Sequence, residues 1–140
     1  MGKSIFKFIL SIFVSLYRLT NGRIGGSMRG LGVLLLTTTG RKSGKQWTTP
    51  LGYFEDNGTY VITASNAGNE HNPSWFHNLK SNPQVTIQVK DKQLTALAEP
   101  ASPEKRNQLW EHLTAIAPGY KDYEKRTSRV IPMVILRPKA

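Results

Sequence analysis

The chain contains no cysteine. Disulfides, thiolate nucleophiles and cysteine-ligated metals are thereby excluded, while the compartment stays open. Acidic residues are scarce and late. Nine Asp and Glu stand against nineteen Lys and Arg, a formal charge of +10, and no acid precedes Glu55. Lys3, Lys7, Arg18, Arg23, Arg29, Arg41, Lys42 and Lys45 all fall in that acid-free stretch. Such a field favours an anionic ligand, an anionic membrane surface or nucleic acid. Nucleic acid is the weakest of the three, because no zinc finger, RNP-like strand or helix-turn-helix pattern is present. Long hydrophobic runs are also missing: the first twenty residues hold none longer than three, which argues against a transmembrane span. No small-x-small cleavage site follows them convincingly, which argues against a secretory signal. His71 and His77 lack carboxylate or cysteine companions at ligand spacing, so no metal site is expected.

What is present starts with one stretch, TTTGRKSGKQWTTP, at 37–50. It follows the apolar run Leu31–Leu36 and sets Gly40 and Gly44 around Arg41, Lys42 and Ser43, with Lys45 next. The run reads as a strand and the polar segment as a turn. Glycines let backbone N–H groups approach an anion, and the cations add fixed charge. A cradle for a phosphate or acidic tail and an ordinary solvated basic hairpin both fit this pattern. A Walker A loop does not. Only three residues separate the glycines, and Gln46 follows Lys45 where a magnesium-binding Ser or Thr is needed.

The 140 residues suit one core with one pocket. Residues 1–20 read as an amphipathic helix with the polar stripe Lys3, Lys7, Ser11, Ser15, Arg18 and a wide apolar remainder. That helix lies in a membrane interface or packs on protein. Residues 21–30 are glycine-rich and basic, the composition of a flexible linker. Residues 31–140 form the domain proper.

Within it, strands are expected at Leu31–Thr39, Gln46–Glu55, Thr59–Ala64, Gln84–Lys90, Gln93–Glu99 and Val130–Leu136. Turns fall at Asp56-Asn57-Gly58 and Asp91-Lys92. Pro50 and Pro132 argue for edges or bulges. Asn72 as cap and Pro73 as first-turn residue open a helix to Lys80. Ser102 caps a second, running to about Ala117, with Leu109, Trp110, Leu113 and Ile116 as its apolar stripe. Tyr120–Thr127 is a third. Ser65–Asn69, small and polar, is either a ligand-approaching loop or a plain connector. Trp75 and Asn78 share a helical face. They could hold a planar heterocycle, or the tryptophan could simply anchor the helix. The strand-dominated order favours a mainly β fold, a small antiparallel barrel or a strongly curled sheet. No G-x-G-x-x-G follows a strand, which disfavours a doubly wound sheet.

Four segments, TTTGRKSG with TTPL (37–51), TASNAG (63–68), NPSWFHNLKSNP (72–83) and PGYKDYEKRTSRVIPMVIL (118–136), together resemble the deazaflavin-dependent nitroreductase and quinone reductase family. The resemblance implies a split β-barrel of the FMN-binding type and reduced coenzyme F420 as hydride donor. It implies a quinone, nitroaromatic or similar acceptor. FMN use on the same fold, or a non-enzymatic protein holding an anionic ligand or heme, is the competing class.

Residue by residue, it places Arg41, Lys42, Ser43 and Gly44, with Lys45 adding charge, at the cofactor phosphate and tail. Pro50 and Leu51 border the cofactor. Ala64, Ser65, Asn66, Ala67 and Gly68 line the deazaflavin, and Trp75 and Asn78 shelter it. Ser65, Tyr120 and Tyr123 stand at the acceptor side as catalytic residues. Trp47 departs from an arginine carried by many relatives, which removes one phosphate contact. Ala117 departs from a tyrosine of the nitroimidazole-activating relative, which speaks against that drug class. The N-terminal helix resembles the membrane-associated helix of some members. The implied location is cytoplasmic, peripheral at the inner face of the membrane, with a homodimer left open.

Overall fold

The structure, a computed structural model, describes residues 2–23, 25–28 and 30–139. Arg29 and the side chain of Lys3, two members of the basic stretch, lie outside what is described. The elements run α1 (Gly2–Leu19), β1 (Ser27–Met28), β2 (Leu31–Thr39), β3 (Gln46–Asp56), β4 (Thr59–Thr63), α2 (Ser74–Ser81), β5 (Gln84–Val89), β6 (Lys92–Pro100), α3 (Pro103–Ile116), α4 (Tyr120–Arg126) and β7 (Met133–Pro138).

All strand pairs are antiparallel, in the order β1-β2-β3-β4-β7-β6-β5, and β2 also pairs with β5. That last pairing closes β2 to β7 into a six-stranded barrel, as the strand-rich sequence leads one to expect. Leu34, Leu36, Ile62, Val85, Ile87, Ala96, Val134 and Leu136 fill its interior, with Trp75, Phe76 and Leu79 of α2 packed into the same cluster. Leu109, Trp110 and Leu113 of α3 and Tyr120 of α4 form a second cluster with Leu31, Phe54, Val61 and Ile135. A third joins Tyr17 of α1 to Val33 and Leu35. These clusters explain the unbroken Leu31–Leu36 run. Leu34 and Leu36 face the interior while Val33 and Leu35 meet α1, so both faces of β2 are buried.

Several boundaries differ from the sequence reading. The β5–β6 turn is Lys90-Asp91, not Asp91-Lys92, since Val89 pairs with Lys92. Lys90 takes a left-handed φ of 56°. Its N–H donates to the Tyr17 hydroxyl at 2.7 Å, a long-range bond that local composition does not encode. The α2 cap is Pro73 rather than Asn72, because the Asn72 side chain accepts from Arg129 instead. The last strand begins at Met133, three residues late. Pro132 lies outside it, and its carbonyl accepts from Ala64 N–H at 2.9 Å. Ile116 is exposed and drops out of the α3 stripe. The 21–30 stretch is not simply a connector, for it contains β1, paired with Gly32 and Leu31. Pro50 sits within β3 where that strand pairs with β2 alone, a local edge that tolerates the missing donor.

Candidate functional site: a cationic cavity beside an aromatic helix

The basic turn forms because Gly40 N–H donates to Lys45 O at 2.7 Å and Gly44 N–H to Gly40 O at 2.9 Å. Gly44 adopts φ +73°, which glycine accepts without cost. At Gly40 a Cβ would meet Ser43 Oγ at 2.8 Å and Trp47 Nε1 at 3.1 Å, so only glycine lets the backbone pass beneath that indole.

Gly40, Arg41, Lys42, Ser43, Trp47 and Thr49 line one side of a cavity of about 430 Å³. Ser74, Trp75 and Asn78 of α2 line another, and Lys7 of α1 completes it. Among the described residues no carboxylate is in that lining. First-turn amides of a helix lack intrahelical partners, so the α2 end adds partial positive charge. The arrangement can take a polyanion with a flat apolar body.

Asn78 has a role more specific than shelter. It is buried, and its Oδ1 accepts from both Arg41 N–H and Arg41 Nη1, each at 3.2 Å. Its Nδ2 donates to Thr38 Oγ1 at 3.4 Å. Asn78 therefore orients the basic turn and aims Arg41.

The other expected residues fall elsewhere. Gly44 and Lys45 support the turn but are absent from the cavity lining. Pro50 and Leu51 line a separate apolar slot of about 190 Å³ with Ile9, Leu10, Phe13, Val33 and Gly52. Ala64 is fully buried. Asn66, Ala67 and Gly68 form one tight turn with φ of 46°, 54° and 79°, three left-handed residues in succession. Ala67 carries real strain there, since a Cβ disfavours that region.

This turn is gripped by α4. A Cβ on Gly68 would lie 2.8 Å from Arg126 Cβ and 3.2 Å from Tyr123 O. Tyr120 and Tyr123 rings meet edge to face at 5.4 Å, and both line a cavity of about 340 Å³ at α4. A Cβ on Gly52 would stand 3.2 Å from the Tyr120 hydroxyl, so glycine in β3 makes room for that phenol. Tyr120, Tyr123 and the 65–68 turn are thus brought together by packing. Among the described residues the cationic cavity and the tyrosine cavity share no lining residue.

Arg129 was not singled out from the sequence. Its guanidinium donates to Ser65 O (2.9 Å), Ala64 O (3.1 Å), Asn69 O (2.8 Å) and Asn72 Oδ1 (2.7 Å). Burial holds its pKa below the ordinary arginine value, with Glu70 opposing. Beside it, Ser128 N–H and Oγ donate to the Glu70 carboxylate, and those bonds hold Glu70 below the usual carboxylate range. Residues 128–129 therefore staple the whole 64–72 segment. Arg129 falls inside the 118–136 segment that carries the resemblance, but that segment gave it no role; only its partners reveal this.

A closed six-stranded barrel with a cationic cavity beside an aromatic helix defines a split-barrel protein of the flavin-cofactor type. The family model for F420H(2)-dependent quinone reductases matches residues 9–138. The chain belongs to that family. It is 42% identical over 132 residues to an F420H(2)-dependent quinone reductase of Mycobacterium tuberculosis, covering 91% of this chain and 89% of the relative. Among solved structures it is similar to an F420-H2-dependent reductase, with 40% identity and TM-score 0.69, over 75% of this chain and 93% of that one. It is also similar to a chain described as a domain-swapped dimer, with 36% identity and TM-score 0.71, over 88% and 93%.

Proposed function

We propose that this chain is a reductase that uses reduced coenzyme F420 to reduce a quinone or a similarly electron-poor, planar acceptor. The observation that carries the reading is the cavity at 40–49, walled by Trp47 and Trp75 and lined by cations without a carboxylate. Arg41, Lys42 and Ser43 would hold the phosphate and acidic tail, with Asn78 aiming Arg41. Trp75 and Trp47 would wall the cofactor. Pro50, Leu51 and the 64–68 turn would border the ring end, held in shape by Arg129.

When bound, the reduced deazaflavin supplies the hydride. What remains for the protein is placement, exclusion of water, and a hydrogen bond to the acceptor oxygen that gains charge. Tyr120 is suited to that bond: its ring is buried, and a phenol O–H can donate to the acceptor oxygen. Tyr123 and Ser65 flank it on α4 and at the neighbouring turn.

The test is a parallel fluorescence titration with F420, with FMN and with a deazaflavin lacking phosphate and tail. Tight F420 binding, weak FMN binding and loss of F420 affinity with rising salt are expected. Changing Arg41 and Lys42 to Ala should weaken F420 far more than the tailless compound. Equal weakening of both would remove the anion cradle.

A finer reading concerns α1. Among the described residues no helix is long and apolar enough to cross a membrane. Yet Ile5, Phe8, Ile9, Ile12, Leu16 and Leu19 are exposed, an i, i+3, i+4 stripe opposite buried Tyr17. We place this face in an anionic lipid interface, helped by exposed Arg23 beyond the helix end. A second copy of the chain is the competing cover, in keeping with the similar chain described as a domain-swapped dimer.

A further inference from the structure

Two exposed members of the α1 polar stripe also reach the barrel. Lys7 and Arg18 are eleven residues apart, three helical turns, and so share a face. Arg18 Nη2 donates to Thr48 Oγ1 at 3.3 Å, holding that face to β3. At the other end, Lys7 reaches the cavity lined by Arg41, Lys42, Trp47 and Trp75. The helix between them is fixed by Tyr17, which is 0% exposed and donates to Val33 O at 2.8 Å while accepting from Lys90 N–H. Lys7 stands ten residues from that anchor, about 15 Å along the axis. Its position is thus set by the docking of α1.

Three cations around one cavity repel each other, and no acid in the lining offsets them. Among the described residues, neither Lys7, Arg41 nor Lys42 takes part in an ion pair. An anion spanning from the 40–45 turn to α1 would relieve this repulsion and bind both elements at once.

We propose that Lys7 is the third cation of the cofactor cavity, so that the acidic tail bridges the basic turn to α1 and its binding holds α1 against the barrel. This rests on the F420 reading above. Linkage makes the coupling reciprocal: whatever fixes α1, including a lipid surface, tightens binding of a tailed cofactor by the same factor. A tailless deazaflavin, which does not reach α1, has no such coupling.

The experiment uses the full chain, Lys7→Gln, and Lys121→Gln as a control that removes one exposed charge on α4, outside the 40–49 cavity. Affinities for F420 and for a deazaflavin lacking phosphate and tail are measured by fluorescence. Amide exchange across residues 8–17 is followed with and without saturating F420. Lys7→Gln should weaken F420 about three- to fivefold at low salt, as expected for a partly exposed charge pair, and leave the tailless compound unchanged. Lys121→Gln should change F420 affinity less. F420 should slow exchange in α1 of the unaltered protein and not of Lys7→Gln. Equal effects of the two variants on F420, or α1 exchange indifferent to F420, would overturn the bridge. If the unaltered chain binds the tailless deazaflavin as tightly as F420, the cofactor cradle itself is wrong, and the bridge falls with it.

Discussion

Single side chains in this protein divide into those that would touch ligand and those that aim them. Arg41 belongs to the first kind and Asn78 to the second, because its amide oxygen is already committed to Arg41. Arg129 is also of the second kind, with four acceptors spread over residues 64–72. Tyr120 can be tested without disturbing either group. Tyr120→Phe keeps the ring against Tyr123 and Gly52 and removes only the hydroxyl. F420 affinity should stay within about twofold, while stopped-flow oxidation of bound reduced cofactor by a menaquinone analogue should slow about tenfold or more. Tyr123→Phe and Ser65→Ala serve as parallel cases. Unchanged rates in all three would leave placement as the protein's contribution, with water as proton source.

At the scale of elements, α1 and the 40–45 turn depend on contacts distant in sequence. The buried anchor of α1 is the Tyr17 phenol. Burial pushes the Tyr17 pKa above its ordinary value of 10, opposed by the bond from Lys90 N–H. A raised phenol pKa means the fold requires the neutral form. The anchor's stabilisation is therefore complete below pH 10 and is lost as pH rises through the raised folded value. Urea midpoints should hold steady up to about pH 9.5 and fall above it. Tyr17→Phe should start lower by about 1–2 kcal/mol, since Lys90 N–H loses its acceptor, and fall less steeply with alkali. Tyr53 is also raised by burial, so some alkaline loss persists in the variant. A variant curve parallel to that of the unaltered protein would remove Tyr17 as the titrating anchor.

For the whole molecule, charge and apolar surface combine on one helix. The chain carries +10, and α1 turns Lys7 and Arg18 toward the barrel while its outer stripe leaves Phe8 66% and Leu19 82% exposed. Cutting the chain before Gly30 would remove this face but also strip Tyr17 from Val33 and Leu35. Phe8→Glu with Ile12→Glu keeps the anchor and spoils only the outer stripe. The unaltered chain should sediment with anionic liposomes and the double variant should stay in solution at physiological salt. If both remain in solution and the double variant alone becomes monomeric by analytical ultracentrifugation, the stripe belongs to a subunit contact instead.

Much of this was legible in the chain itself. Alternation placed β5 and β6, and the Asn57-Gly58 turn placed the β3–β4 hairpin, because side-chain period and positive φ are local properties. Ser102 as a cap was legible for the same reason, its Oγ accepting from Lys105 N–H. The glycine-bounded cations and the late acids made an anion a candidate ligand, but the pattern fits a solvated basic hairpin equally. The family resemblance rested on four ordered motifs that needed no coordinates.

Tertiary structure decided the rest. Barrel closure through β2 and β5 brought the basic turn against α2, giving the cavity its aromatic wall and giving Asn78 its hold on Arg41. Packing of α4 on the 66–68 turn joined the tyrosines to the loop. The Arg129 staple, the Tyr17 anchor and the reach of Lys7 each join residues far apart in the chain. A motif records the chemistry of neighbours along the backbone. A hydrogen bond across 73 residues, such as Lys90 to Tyr17, exists only once the whole chain has closed.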